Sequence, residues 1–399
     1  MVALKELHPN KIICDSYQQR ASDIHIEPYP GKKDVIVRIR VDGRCKIYQK
    51  IPYRYKYAIA SRIKIMAELD IAERRKPQDG KIDFKNFGPL DTEIRVATIP
   101  TAGHLEDVVL RLLRNEEARP LVDLGMSVRD CFEFESALAQ PYGMILVVGP
   151  TGSGKTTTLH SGIALINNPE IKIWTIEDPI EITQEGLRQV QVNTKICFTF
   201  AAALRSFLRL DPDVIMVGEI RDQETATIAV EASLTGHLVL SSLHTNTAAE
   251  TVTRLLEIGL DPYSFSDSIL CILAQRLARS LCADCREEYA PGEGELNEII
   301  EEFGLESFTA TGLSRNELRL NRAVGCSSCL NTGYLGRVGI YELLICTDEI
   351  KSLIKKRVPC DVIARQAVAD GTRTLKQDGI LKVFQGITDI REIRRVCIR

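Results

Sequence analysis

Eight consecutive residues, Gly149-Pro150-Thr151-Gly152-Ser153-Gly154-Lys155-Thr156, match G-x-x-x-x-G-K-[ST] and lie between the apolar run MILVV and a stretch that reads as a helix from Lys155. Glycines in such a loop let backbone N–H groups turn inward and cradle phosphates. Lys155 supplies a point charge for the β and γ groups, and Thr156, followed by Thr157, offers a hydroxyl to Mg²⁺. The pattern predicts ATP as ligand.

Open parallel sheets bind ligands beyond the carboxyl ends of their strands, so the residues after each apolar run are the next candidates. After IKIWTI come Glu177, Asp178 and Glu181; after DVIMV come Gly218 and Glu219; after HLVLSSL comes His244, with His237 at the other end of that run. Glu219 stands where a nucleotide hydrolase holds Mg²⁺; the other reading is a salt bridge to Arg221 or to an arginine near Arg209. Glu181 follows Pro179 and is the candidate for orienting and deprotonating the attacking water, with Glu177 its competitor. His244 reads as a γ-phosphate sensor or as a structural histidine. Trp174 lies inside an apolar strand and reads as core.

A second constellation pairs Cys282-Ala-Asp-Cys285 with Cys326-Ser-Ser-Cys329, forty residues apart. Two C-x-x-C knuckles give the S₄ set of a closed structural Zn²⁺. Redox pairs are the alternative, but no thioredoxin-like unit surrounds them. The eight other cysteines are scattered, and 12 in 399 residues is about 3%, far below a disulfide scaffold. Reduced thiols in a cytoplasmic chain are expected.

These residues must be positioned by more than one core, since 399 residues exceed an ordinary domain of roughly 100 to 200. From Ser22 to Leu113 short strands and turns alternate. In DVIVRIRVDGRCKIYQKI the alternation puts Arg38 and Arg40 on one face before an Asp42-Gly43 turn. A second hairpin through IDFKNFGPLDTEIRV and a helix near Tyr55 to Leu69 complete a small α+β domain over 1–118, and 119–127 reads as linker. Apolar strands alternating with helices over 128–281 indicate an ATPase core built on a mainly parallel sheet. A tetracysteine module over 282–340 and a helical region over 341–399 follow. The acidic run between Glu287 and Glu306 reads as solvated surface. With 51 Lys plus Arg against 54 Asp plus Glu the net charge is -3, which removes whole-chain basicity as an argument for nucleic acid. No apolar run approaches the roughly 20 residues of a membrane span.

The blocks ASDIHIEP, RIRVDG, IAERRKPQDGKI, GPTGSGKTTT, TIEDPIEI, DPDVIMVGEIRD, TGHLVLSSLHTNTA, AQRLARSLCADC and GCSSCLNTGYLGRVGIYELL, in this order, resemble the GspE/PilB-type ATPases of type II secretion and type IV pilus assembly. The resemblance implies a homo-hexameric motor with a PAS-like first domain and a RecA-like second one, acting on an inner-membrane platform protein while peripherally bound to that membrane. It implies Glu181 as catalytic carboxylate, Glu219 as metal-side glutamate and His237 and His244 as a histidine box. It also implies that first-domain arginines reach the phosphates on closure. Arg38 and Arg40 fit by their shared face, with Arg54 also a candidate; the other reading is that they decorate an exposed sheet. A retraction motor, a DNA-uptake pseudopilus motor or a non-hydrolysing nucleotide-binding scaffold are the alternatives. Two departures stand out. Only about 20 residues precede ASDIHIEP, and HPNKIICDSYQQR has no apolar docking helix, so the chain reads as a fragment, a short paralogue or one that docks otherwise. HLEDVVLRLL carries Glu106-Asp107 where a basic residue is more typical.

Overall fold

The computed structural model describes residues 9–113 and 118–397, which fall into two compact units divided after Glu116. The expected linker begins beside the residues left undescribed, and the first eight residues of the leader are outside the description as well.

In the first unit α1 (Pro9–Gln18) leads into β1 (Asp23–Glu27), β2 (Val35–Val41) and β3 (Arg44–Ile51); α2 (Lys56–Met66) then precedes β4 (Gln78–Asp83), β5 (Glu93–Thr101) and β6 (Leu105–Leu112). The strands form one antiparallel sheet in the order β3-β2-β1-β6-β5-β4. Period-two alternation buries Val35, Val37 and Ile39 on the face that meets Ile59 and Ile63 of α2. PNKIICDSYQ folds as a helix because Ile12 and Ile13 complete this same core, both essentially inaccessible to solvent. The departure at Glu106 also has a local cause. Its carboxylate lies 2.7 Å from the buried Lys64 ammonium, which also donates to Glu73 O at 2.7 Å. The buried acid therefore sits here with its charge compensated.

The second unit opens with α3 (Val128–Leu138), capped by the Ser127 hydroxyl. Part of the expected linker is anchored to this unit: Leu121 is buried beside Phe134, and Leu124 O accepts from the Tyr341 hydroxyl. Then come β7 (Gly143–Val148), α4 (Lys155–Ile166), β8 (Ile173–Glu177), β9 (Arg188–Gln191) and α5 (Phe200–Phe207). They are followed by β10 (Val214–Val217), α6 (Gln223–Leu234), β11 (Leu238–Leu243), α7 (Ala248–Ile258), α8 (Pro262–Ser268) and β12 (Ile269–Leu281). Thr199, Asp222 and Thr247 each accept a backbone N–H at the start of their helices, which sets where the strand-to-helix turns end.

A lobe containing β13 (Glu287–Tyr289), α9 (Glu293–Phe303), α10 (Leu305–Ala310) and β14 (Leu320–Arg322) intervenes before the chain returns as β15 (Tyr334–Ile345). The helices α11 (Asp348–Lys355), α12 (Cys360–Ala369), α13 (Leu375–Phe384) and α14 (Ile390–Val396) close the unit. The main sheet runs β15-β12-β7-β11-β10-β8-β9 and is parallel except for β15, which lies antiparallel to β12. All six residues of β7 and of β11 are buried, as continuous apolar strands between two helical layers require. Strand β15 runs across residues 340 and 341, so the cysteine-bearing stretch leaves the sheet at Leu281 and rejoins it at Tyr334. Trp174 stacks against Phe207, with ring centroids 5.0 Å apart.

Candidate nucleotide site and tetracysteine centre

The phosphate loop joins β7 to α4, and its course demands glycine at two points. Gly149 has φ of 152°, and a Cβ there would lie 2.4 Å from Gln275 O; Gly154 has φ of 89° and would meet Gln275 Nε2 at 2.8 Å. Gln275 is buried in β12, the strand beside β7. Its Nε2 donates to Ser153 O at 2.7 Å and its Oε1 accepts from Thr158 Oγ1 at 2.7 Å, so it braces the loop from behind. Gly154 ends the loop without a side-chain cap, which leaves the first N–H groups of α4 available to an anion. Lys155 Nζ donates to Gly149 O at 2.8 Å and Pro150 O at 3.3 Å, and stands 3.5 Å from His244 Nδ1.

The carboxyl edge of the sheet gathers most of the expected residues. His244, just after β11, places Nε2 3.0 Å from Glu219 Oε1; Glu219, just after β10, also accepts from Arg221 Nε at 2.8 Å. Lys155, His244 and Glu219 thus form a contiguous chain, and the Arg221 salt bridge exists beside it. Asp178 joins through Arg221 at 3.7 Å. Glu181 lies beyond β8, exposed, past a cis Asp178–Pro179 bond. Beside Thr151 on the loop a cavity of about 980 Å³ opens, bordered by Asn246 and by Arg276, whose Nη2 donates to Asn246 O at 3.0 Å.

Two expected residues are placed elsewhere. His237 precedes β11, at the edge of the sheet opposite the phosphate loop, and its Nδ1 is 2.9 Å from Ala232 O. Six strand residues at about 3.3 Å each separate it from His244, so within this chain it does not join the site. Glu177 is the last residue of β8 but turns inward, with Thr175, Gln189 and His160 all bonded to its carboxylate. That inward set excludes it from phosphate contact. The side chain of Gln275 and the pair His160–Glu177 were not foreseen. The one available signal was polarity inside apolar surroundings, a glutamine in ILCILAQRL and a histidine in TTTLHSGIAL.

In the first unit Arg38 is bonded to Glu27, while Arg40 Nε lies 3.5 Å from Asp23, which also holds Arg111 at 3.1 Å. Both arginines remain more than a third exposed. Arg54 lies over the Tyr55 ring, 4.9 Å from its centroid.

Burial brings the Lys155 ammonium down to about 8, against the opposing pull of Glu219. Above that pH the free protein carries a neutral lysine, whereas a triphosphate favours the charged one. Binding then takes up a proton, and affinity for a non-hydrolysable ATP analogue is expected to hold below pH 8 and to weaken above it, approaching about tenfold per pH unit. Titration calorimetry from about pH 7 to about 9.5 checks this; a flat profile contradicts it. The sign for stability is the reverse. Unfolding takes up a proton between pH 8 and the ordinary lysine range, so this residue's contribution improves as pH rises through that window.

The four cysteines converge as their spacing requires. All Sγ atoms of Cys282, Cys285, Cys326 and Cys329 lie within 4.8 Å of one another, and three pairs are 3.8 to 3.9 Å apart. That separation is the edge of a tetrahedron with metal–sulfur bonds of about 2.3 Å, the value for Zn²⁺. Gly325 N donates to Cys285 Sγ, and Cys326 N and Gly333 N donate to Cys329 Sγ, the bonding expected of thiolate ligands. The quartet fits a structural zinc, and its closed geometry leaves no position for a substrate.

A RecA-like sheet, a phosphate loop and a carboxylate–histidine edge define a P-loop ATPase. The chain belongs to the type II/IV secretion system protein family, whose model matches residues 2–395. Type II secretion system protein E of Pseudomonas aeruginosa is 45% identical over 388 residues, covering 97% of this chain and 74% of that protein. Type IV pilus assembly ATPase PilB of Acinetobacter baylyi is likewise 45% identical, over 97% of this chain and 65% of its own length. Among solved structures, the pilus retraction motor PilT with bound ADP matches with a TM-score of 0.64 and 26% identity over 99% of this chain and 98% of that one. The Legionella pneumophila ATPase DotB shares the fold, with a TM-score of 0.69 and 21% identity over 97% and 94% of the two chains.

Proposed function

We propose that this chain is the subunit of a hexameric ATP-driven motor that powers the addition of pilin-like subunits, for type II secretion or type IV pilus extension. The observation that carries the reading is the contiguous Lys155–His244–Glu219 chain at the phosphate loop of a protein 45% identical to ATPases of both systems. Loop N–H groups and Lys155 bind the β and γ phosphates. Thr156 and Glu219 would hold Mg²⁺, which neutralises phosphate charge when bound. Glu181 accepts the proton of a water that attacks the γ-phosphorus; the bond to the bridging oxygen breaks and ADP leaves. His244 links Lys155 to Glu219 and so reports whether the γ group is present.

Arg38 and Arg40 are assigned to the phosphates, where each would exchange a carboxylate, Glu27 or Asp23, for a stronger anion. Hydrolysis and phosphate loss release those contacts, and the resulting change of shape acts on an inner-membrane platform protein. Among the described residues no helix is long and apolar enough to cross a membrane. The motor would act from the cytoplasmic face as a peripheral protein, as the relatives' secretion and pilus-assembly roles suggest. The identity to assembly and secretion ATPases, against 26% to the retraction motor, supports addition over removal of subunits.

Steady-state phosphate release by the assembled protein tests the reading. Turnover should fall by about 10²-fold or more in Glu181→Gln and in Glu219→Gln while binding of an ATP analogue persists. Nucleotide binding by the wild-type assembly without any phosphate release would identify a scaffold instead.

A further inference from the structure

Beneath the phosphate-loop helix lies a polar cluster that hydrolysis as described above does not use. His160 is fully buried on α4, about one and a half turns after Lys155. Its Nε2 is 3.1 Å from Glu177 Oε2, and its Nδ1 is 2.8 Å from Gln184 Nε2. An amide nitrogen can only donate, so Nδ1 accepts and Nε2 carries the proton toward Glu177. Gln184 Nε2 also donates to His160 O at 3.0 Å. The Glu177 carboxylate takes two further donors, Thr175 Oγ1 at 2.7 Å and Gln189 Nε2 at 3.1 Å.

The cluster does more than satisfy a buried acid. Gln189 Nε2 donates to Ile182 O at 2.8 Å, and its Oε1 accepts from Gln184 N at 3.0 Å. The backbone that carries Glu181 is therefore held on one side at Glu177 and on the other at Ile182 and Gln184. Both holds converge on one imidazole, and that imidazole is rigidly attached to the helix whose first turn binds phosphate. A buried charged network is costly unless every member is satisfied, and here each of these atoms is spent on joining α4 to segment 177–189.

We propose that His160 is a positioning residue that keeps the Glu181 segment in register with the phosphate loop, by donating to Glu177 and accepting from Gln184. This rests on the reading of Glu181 as the water-activating carboxylate. The test compares His160→Asn, whose amide reaches only the Nδ1 position, with His160→Gln, which restores a donor at the Nε2 position. With assembled protein and ATP, His160→Asn should lower kcat by about 10- to 100-fold with KM within about twofold, and His160→Gln should stay within about threefold of wild type. In a His160→Asn/Glu181→Gln double variant, turnover should be no slower than in Glu181→Gln alone.

Should His160→Asn fail to fold, Glu177→Gln, whose amide oxygen keeps the Thr175 and Gln189 donors while its nitrogen faces Nε2, is judged by the same criteria. Unchanged kcat in His160→Asn, or a loss that multiplies fully with that of Glu181→Gln, overturns the proposal. Wild-type turnover in Glu181→Gln itself overturns the assignment of Glu181, and so is told apart from failure of the positioning role.

Discussion

Replacing Lys155 by alanine is expected to lower ATP turnover by about 10²- to 10³-fold and to weaken nucleotide binding as well. Both effects follow from one position. The ammonium sits at the mouth of the phosphate loop, bonded to Gly149 O and Pro150 O and 3.5 Å from His244. A positive charge placed in advance where phosphate charge develops contributes about 3 to 4 kcal/mol to the barrier, by analogy with loss of a single oxyanion donor. Alanine also takes the Lys155 donor from Gly149 O and leaves Pro150 O with Ser153 N alone, so the cradle loses definition as well as charge. Phosphate release and analogue binding, measured on the same preparation, should both fall. If turnover in Lys155→Ala remained within about tenfold of wild type, the nucleotide would have to be bound and cleaved elsewhere.

The second large effect concerns the tetracysteine centre. Cys282→Ser is expected to abolish stoichiometric zinc and to open the lobe between β12 and β15 to proteolysis, while analogue binding stays within about twofold of wild type. The quartet closes the base of that lobe, where Cys282 N donates to Gly333 O at 2.9 Å. Without metal, four sulfurs held within 4.8 Å of one another have little to keep them together. Structural zinc contributes about 10–16 kcal/mol in small zinc peptides. The loss here is smaller, because Phe303 and Phe308 of the lobe pack edge-on against Phe384 of α13 and keep that side docked. Elemental analysis showing unchanged zinc in the variant, or a lobe that resists protease as before, would contradict the assignment.

Much of this was legible in the sequence because local patterns carried it. The phosphate loop, the alternation of apolar strands with capped helices and the two cysteine knuckles are short-range signals, and each appears where its spacing placed it. What escaped depends on long-range pairing. Strand β15 pairs with β12 although the whole cysteine lobe separates them in the chain, and no local periodicity reports such a partner. The inward turn of Glu177 was hidden for a related reason. A strand-end carboxylate looks the same in the sequence whether it faces solvent or three side-chain donors, and here Gln189, Thr175 and His160 decide. His237 and His244 flank one strand, so a motif that names both does not say that they serve the same edge. Lys64 and Glu106 are forty-two positions apart, and only the folded sheet makes them a pair.

The two carbonyl bonds of Lys155 in the ligand-free loop have one more consequence. The ammonium is already solvated by its own backbone, so an arriving molecule gains from it only by offering an acceptor better than a neutral peptide oxygen. An ionised oxygen attracts the ammonium more strongly than a neutral carbonyl does, and a polyphosphate tail passes that threshold. A nucleoside does not, and a monophosphate too short to reach the lysine does not either. The resting lysine would thereby favour a polyphosphate over AMP and adenosine, with no clash needed against either of them.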